Sequence, residues 1–272
     1  MRLNPHRNAL MISRIFLQSA VALAALIVVI GNPSRAAAAD SGKPQYYELR
    51  VYTTKSEEQQ KRVNDYWQNA AVPAYNRMGI QPVGVFTELA DSATNKIYVL
   101  IPCDSVEIFA VIPAKLGADT AYQQTATEFL AAPKSNPAYE RFESSLLVAF
   151  DGMKHISLPP AHKKPNVFEL RTYLSPSESK GLNKIQMFES GEITTMKEVG
   201  LAPVFYGRTM VGSTMPSLTY MTCGENLDEH KKHWQGFSAA PVWKQLQADP
   251  QYKDNMTGMI KVMLKRTSAS QL

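Results

Sequence analysis

Tyr47-Glu48-Leu49-Arg50-Val51-Tyr52 and Phe168-Glu169-Leu170-Arg171-Thr172-Tyr173 are the same short strand written twice, and the second begins 121 residues after the first. Each alternates a bulky apolar side chain with a charged or phenolic one, which is the period of a strand. In each copy Glu and Arg share one face with a tyrosine, about 6.5 to 7 Å apart along the strand.

The repeat extends well beyond this strand. Gly79-Ile80-Gln81-Pro82-Val83 is matched by Gly200-Leu201-Ala202-Pro203-Val204, and Trp67 by Phe188, still at 121. Ser56 with Gln59 makes a capping box ahead of Val63, Trp67, Ala70, Ala74 and Met78, and Pro73 should bend that helix. Its counterpart opens at Ser175, with Pro176 in the first turn and Glu178 closing the box. Val83 to Glu88 and Lys96 to Ile101 read as strands joined by a polar turn at Asp91 to Asn95. Ser105 to Lys115 and Ala121 to Ala131 read as helices, Pro137 opens a short third one, and Leu146 to Phe150 is the closing strand. In the second half Leu218 to Cys223 and Met259 to Leu264 are the later strands. The offset falls to 108 where Phe129 to Pro133 meets Phe237 to Pro241, which places about thirteen extra residues near Val106 to Thr120.

Each half is therefore a βαββαβ unit with one sheet face bare. Two such faces bury each other, as a closed barrel or as stacked sheets. The expected organisation is an export signal over 1–39, a first unit over 46–152, a linker over 153–165, a second unit over 166–266 and a flexible tail over 267–272.

The two strands, the two Gly-to-Val turns, and Asn136-Pro137-Ala138-Tyr139 with Asp249-Pro250-Gln251-Tyr252 together resemble the NIPSNAP family over about residues 46 to 265. The resemblance implies an α+β fold: duplicated ferredoxin-like βαββαβ units packed as an intrachain dimeric α/β barrel. Related barrels include haem-binding, monooxygenase-like and decarboxylating members, which is a link through the fold alone.

The first 39 residues have another character. Arg2, Arg7 and Arg14 precede an apolar run from Ile15 to Ile30, and Ala36 to Ala39 supply small residues for cleavage. This reads as a secretory signal, so the chain is expected in the periplasm or outside the cell. Its clean apolar core, Ala20 to Ile30, is shorter than the ~20 residues that span a bilayer, so contact with a membrane is expected only through an uncleaved leader. The leader holds Arg2, Arg7, Arg14 and Arg35 and no acid before Asp40, hence four of the five net positive charges. The remaining chain lacks the basic excess that nucleic-acid binding requires.

Among candidate sites, the Glu–Arg–Tyr faces come first: Glu48, Arg50, Tyr52, Glu169, Arg171 and Tyr173, expected in the shared barrel interior. Buried charges must be paired or wet. They line a pocket for a small molecule, or they form a network that locks the halves together; no catalytic residue is assigned. His230 and His233 are one helical turn apart, but the intervening Lys231 and Lys232 and the missing third ligand point to a solvated face. No metal site is expected. Trp67, Trp234 and Trp243 read as core packing. No phosphate loop, nucleophile elbow or haem-attachment motif occurs, and no cofactor is expected. Cys103 and Cys223 either pair or stay as buried thiols. Three functions remain open: a small-molecule binder, an enzyme of monooxygenase or isomerase type needing little cofactor help, and an interaction module. Homo-oligomerisation is also open.

Overall fold

The computed structural model describes residues 42–89, 95–158 and 165–272. The expected leader, most of the turn after Ala90 and most of the linker after Leu158 lie outside the described residues.

Eight antiparallel strands close into one barrel in the order β1-β3-β2-β8-β5-β7-β6-β4. The first unit runs β1 (Tyr46–Thr53), α1 (Glu57–Tyr66), α2 (Val72–Arg77), β2 (Gly84–Glu88), β3 (Lys96–Cys103), α3 (Val106–Ala118), α4 (Thr120–Leu130) and β4 (Arg141–Ala149). The second runs β5 (Val167–Leu174), α5 (Glu178–Met187), α6 (Ile193–Glu198), β6 (Ala202–Val211), β7 (Ser217–Gly224), α7 (Leu227–Ala239), α8 (Pro241–Ala248) and β8 (Gly258–Arg266). Edge pairing between units closes the barrel: Phe86 to Glu88 on β2 pair with Leu264 to Arg266 on β8, and Leu146 to Ala149 on β4 with Gly207 to Val211 on β6. Closure removes four exposed edges that single units would carry.

The copies keep register at 121 through most of their length. Ser56 and Ser177 cap α1 and α5; Ser105 and Asn226 cap α3 and α7, which are both 13 residues long. The second cap is thus Ser177 rather than Ser175, whose hydroxyl donates to the Asn255 carbonyl at 2.8 Å. The extra residues do not lie in α3, and no helix opens at Pro137. One π-helical turn, Trp67–Ala71, separates α1 from α2 just ahead of Pro73; its counterpart, Phe188–Glu192, forms without a proline.

The barrel interior is filled by Tyr47, Leu49, Phe86, Leu100, Leu147, Phe168, Leu170, Phe205, Met221 and Leu264, drawn from both units. A second cluster joins the first unit's sheet to its helices and a third does so for the second unit. This reverses the expected facing of β1 and β5. Tyr47 and Leu49 point into the barrel, and Tyr52 and Tyr173 lie beneath helices. Both faces of these strands are bulky, so alternation alone does not choose between them, and a slip of one residue exchanges every side chain. An eight-stranded barrel has an interior just wide enough to be filled by side chains, and hydrocarbon from both units wins it.

Residues 267–272, expected to fray, are pinned along β2. Thr267 N–H donates to the Val85 carbonyl at 2.9 Å, Gln271 N–H to the Val83 carbonyl at 2.9 Å, and Val85 N–H to Ser270 Oγ at 3.0 Å. Leu272 is buried and closes the barrel against Phe86. The segment after β4 does the same along β6: Ser157 N–H donates to the Val204 carbonyl at 2.9 Å, and Ile156 packs into the interior. Removing Leu272's buried side chain in Leu272→Ala should lower the unfolding free energy by about 2 kcal/mol. Urea unfolding of the two chains checks this, and an unchanged midpoint would mean the tail carries no packing.

Candidate functional site

The six strand residues do not converge. They fall in two separate layers, each between one unit's sheet and its helices. In the first, Arg50 forms a bidentate pair with Glu48, and Ser144 Oγ donates to Glu48 Oε1 at 2.7 Å. The Arg50 guanidinium lies 5.9 Å from the Trp67 ring and 5.6 Å from the Phe142 ring. Around the pair Val63, Ala71, Val85, Val99 and Ile112 are buried together with Tyr75 and with Tyr66 and Tyr122, whose hydroxyls meet at 2.8 Å.

The second layer repeats the pair and adds to it. Arg171 donates to Glu169 Oε1 at 2.8 Å through Nε, and its guanidinium stacks 3.5 Å from the centre of the Trp234 ring. Glu169 Oε2 receives Trp234 Nε1 at 2.5 Å and stands 2.5 Å from His230 Nε2. Arg171 also reaches the Tyr173 hydroxyl at 3.4 Å, which bonds the Tyr220 hydroxyl at 2.9 Å. Burial works to raise the Glu169 carboxyl, but the hydrogen bond from His230 and the charge of Arg171 outweigh it and hold it below the usual carboxylate range. Burial pushes the Tyr173 and Tyr220 phenols up, against the pull of Arg171.

Deeper in the layer Lys184 Nζ lies 2.5 Å from Glu192 Oε1 and donates to Met187 Sδ at 3.3 Å, boxed by the rings of Phe188, Trp243 and Tyr173. Both members are buried, with side chains 5% and 2% exposed. Neither is marked by a motif; the signal was in the repeat. Subtracting 121 places Val63 at Lys184, Ala71 at Glu192, Val85 at Tyr206, Val99 at Tyr220, Phe109 at His230 and Ile112 at His233. Strand register supports the alignment, since Val85 pairs with Val99 and Tyr206 with Tyr220.

These six exchanges all run from hydrocarbon to polar or titratable side chains, and all fall in the second unit's helix-covered layer. The expected solvated face of α7 is corrected for His230, which is 3% exposed and bonded to Glu169. Trp234, read as packing, is a hydrogen-bond donor to that carboxylate.

A cavity of about 380 Å³ borders this layer. Leu201, Ala202, Pro203 and Cys223 form its apolar walls; Lys197, Glu225, Glu229 and His233 supply the polar groups. Gly200, at φ 89°, ends α6 and lets His233 approach: a Cβ there would stand 2.9 Å from Nε2. The barrel itself keeps a smaller depression of about 180 Å³ at one end, with Thr172, Thr209, Ser217 and Thr219 above Leu49, Val51, Leu170 and Val262. Cys103 and Cys223 are free thiols in different clusters, each pushed up to about 12 by burial. Among the described residues no group of three or more His, Cys, Asp or Glu is placed to hold a metal ion.

Fold and layers together define a single-chain, duplicated ferredoxin-like α/β barrel. The family model named NIPSNAP matches residues 47–149 and again 168–271, and the chain belongs to that family. Among solved structures, a candidate monooxygenase from Lactobacillus acidophilus is 8% identical and superposes with a TM-score of 0.56 over 82% of this chain and 94% of its own. Another from Fusobacterium nucleatum is 12% identical, with a TM-score of 0.54 over 82% and 93%. A NIPSNAP family protein of unknown function from Agrobacterium tumefaciens is 18% identical over 40% of this chain and 93% of its own, with a TM-score of 0.34. The likenesses to the Lactobacillus and Fusobacterium structures establish the fold. A search of curated proteins found no match.

Proposed function

We propose that this chain is an exported binding protein for a small organic molecule, and that the molecule sits in the second unit, in the cavity between β6, β7 and α7. The observation behind this reading is the exchange of hydrocarbon for four titratable side chains and two phenols at those six positions; the reverse exchanges, Tyr66 and Tyr75 for Met187 and Met196, bring no charged group into the first unit. The first unit folds with hydrocarbon at those six positions, so the fold has no need of the polar set. Burying charged and phenolic groups is expensive, and a duplicated scaffold that keeps hydrocarbon in one copy reserves the other for a ligand. The candidate monooxygenases of like fold are compatible with chemistry on such a molecule, so an enzyme needing little cofactor help is the extension of this reading.

Copying first-unit residues into the cavity tests the reading. His233→Ile, which reproduces Ile112, should empty the cavity of ligand at little loss of stability. Native mass spectrometry of residues 40–272, purified without denaturation, should find a bound molecule in the parent and none in the variant. A molecule held equally by both would refute this site.

A second reading rests on the depression at the barrel's end, which is the surviving form of a ligand in the interior between the units. Its hydroxyl lining suits a small polar molecule, and Thr219→Leu should then abolish retention where the cavity variant does not. Export follows from the basic and apolar leader; amino-terminal sequencing of the secreted chain should begin at or near Asp40.

A further inference from the structure

The two units differ again where the chain leaves the last helix of each. α4 and α8 begin 121 residues apart, but α8 stops after 8 residues whereas α4 runs for 11. In the second unit the chain passes at once into a 3₁₀ turn, Pro250–Tyr252, which lies against α5 and the π-helical turn that follows it. The Asn183 side chain donates to the Gln251 carbonyl at 3.1 Å, and the Tyr252 hydroxyl donates to Ser190 Oγ at 3.0 Å. Asp249 holds the turn, receiving the Gln251 backbone N–H at 2.9 Å and its side-chain amide at 2.7 Å. In the first unit the longer helix carries the chain past this place. The matching tyrosine, Tyr139, turns inward onto Tyr52 and Phe142, with ring centres 5.2 and 5.8 Å away. Between α1 with its π turn and α4 lies a groove of about 480 Å³. Arg62, Asn69 and Glu128 line it at the places of Asn183, Ser190 and Asp249. Arg62 still meets the returning chain, donating to the Asn136 carbonyl at 3.3 Å. Among the described residues no hydrogen bond reaches the side chains of Asn69 and Glu128. Tyr66 and Phe129, stacked 3.9 Å apart and within 8° of parallel, give the groove an aromatic wall.

We propose that this groove docks a peptide segment of a partner protein, an exposed turn that carries a tyrosine, and so receives in the first unit what Pro250–Tyr252 supplies in the second. The tyrosine hydroxyl donates to the Asn69 side-chain oxygen, as that of Tyr252 does to Ser190. A backbone N–H of the turn donates to Glu128, as that of Gln251 does to Asp249. A carboxylate only accepts, so Glu128 selects a donor. Asp65 and Arg62 are already paired with Lys61 and Glu58, which leaves Asn69 and Glu128 to meet the ligand. The rest of the turn lies against the aromatic wall, Ala132 and Pro133. This site is separate from the second-unit cavity and does not rest on it.

The probe is the chain's own turn supplied as a separate molecule: an acetylated peptide of residues 250–255, Pro-Gln-Tyr-Lys-Asp-Asn, labelled at its carboxyl end. It omits Asp249, so Glu128 has to supply the carboxylate. Fluorescence anisotropy should show saturable binding to the chain from residue 40. Binding should be about fivefold weaker for a peptide with Tyr252→Phe and about tenfold weaker to Glu128→Ala. Asn69 and Glu128 are both exposed, so substitutions there leave the fold in place. In Asn69→Ala the two peptides should bind alike, because the hydroxyl has lost its acceptor. An effect of the hydroxyl that persists in Asn69→Ala, or no binding by the parent, overturns the proposal. Displacement of the label by N-acetyltyrosine amide as readily as by the unlabelled peptide overturns the peptide as ligand and assigns the groove to a free phenol.

Discussion

Lys184→Val is expected to lower the unfolding free energy by about 3–5 kcal/mol at neutral pH, whereas Lys184→Val with Glu192→Ala should leave it level or raise it by about 1–4 kcal/mol. The single change strands the Glu192 carboxylate among Tyr173, Phe188 and Trp243 with its cation gone. The double change restores Val63 and Ala71 of the first unit, where the same turn is packed with hydrocarbon. Trp67 occupies the place of Phe188 there, so adding Phe188→Trp fills the remaining volume and should give the most stable of the three. The sign of the pH dependence follows from Glu192. Burial raises its carboxyl, against the charge and hydrogen bond of Lys184. A carboxyl raised above its unfolded value binds its proton more readily in the folded chain, so its contribution to stability is present at low pH and is lost as pH rises through the folded value. Without Lys184 the rise is larger, and the deficit of Lys184→Val should shrink in acid. Urea unfolding at neutral and mildly acidic pH measures both effects. A double variant as unstable as the single one would show that the pair holds the fold and would remove the main support for a site in this layer.

The duplication was legible because strands and helix ends recur at one spacing, and that alone defines two ferredoxin-like units; the second cap, read at Ser175, keeps the same spacing only at Ser177. The facing of β1 and β5 was not. Tyr47, Leu49 and Val51 oppose Glu48, Arg50 and Tyr52, both bulky sets, and the choice depends on what the rest of the barrel must fill. The polar start of β4, Arg141 to Ser145, escaped notice because its side chains are largely exposed and carry no apolar alternation. Glu169 and Arg171 were found through the strand motif, while their partners were hidden by local composition: the lysines beside His230 point to solvent, as a helix surface allows, and say nothing of the opposite face. Lys184 and Glu192 were readable only by laying one copy on the other. The repeat supplies both the architecture and its own control, since any position where one copy is hydrocarbon and the other charged is one the fold leaves free.

That control applies most directly to the two glutamates. Glu169→Gln should cost about 3–5 kcal/mol at neutral pH, because the Arg171 guanidinium remains buried without its counter-charge. Glu48→Gln should cost less. Arg50 keeps the Trp67 and Phe142 ring faces, the Ser144 hydroxyl can turn to a new acceptor, and Phe109 stands where the second unit has an imidazole. Held below its ordinary range, the Glu169 carboxyl is deprotonated in the folded chain at pH values where the unfolded chain has begun to bind the proton. Its contribution is therefore present above the unfolded value and is lost as pH falls through the folded one. The parent should weaken in acid by a component that Glu169→Gln lacks, so the gap between the two chains narrows as pH falls. Chemical unfolding of parent, Glu48→Gln and Glu169→Gln from neutral to acidic pH decides it. Equal losses from the two substitutions would make both pairs one kind of structural brace. A larger loss at Glu169, fading in acid, would show that the second unit's carboxylate is held ionised by groups the first unit does without, which is the state a carboxylate must keep to orient His230.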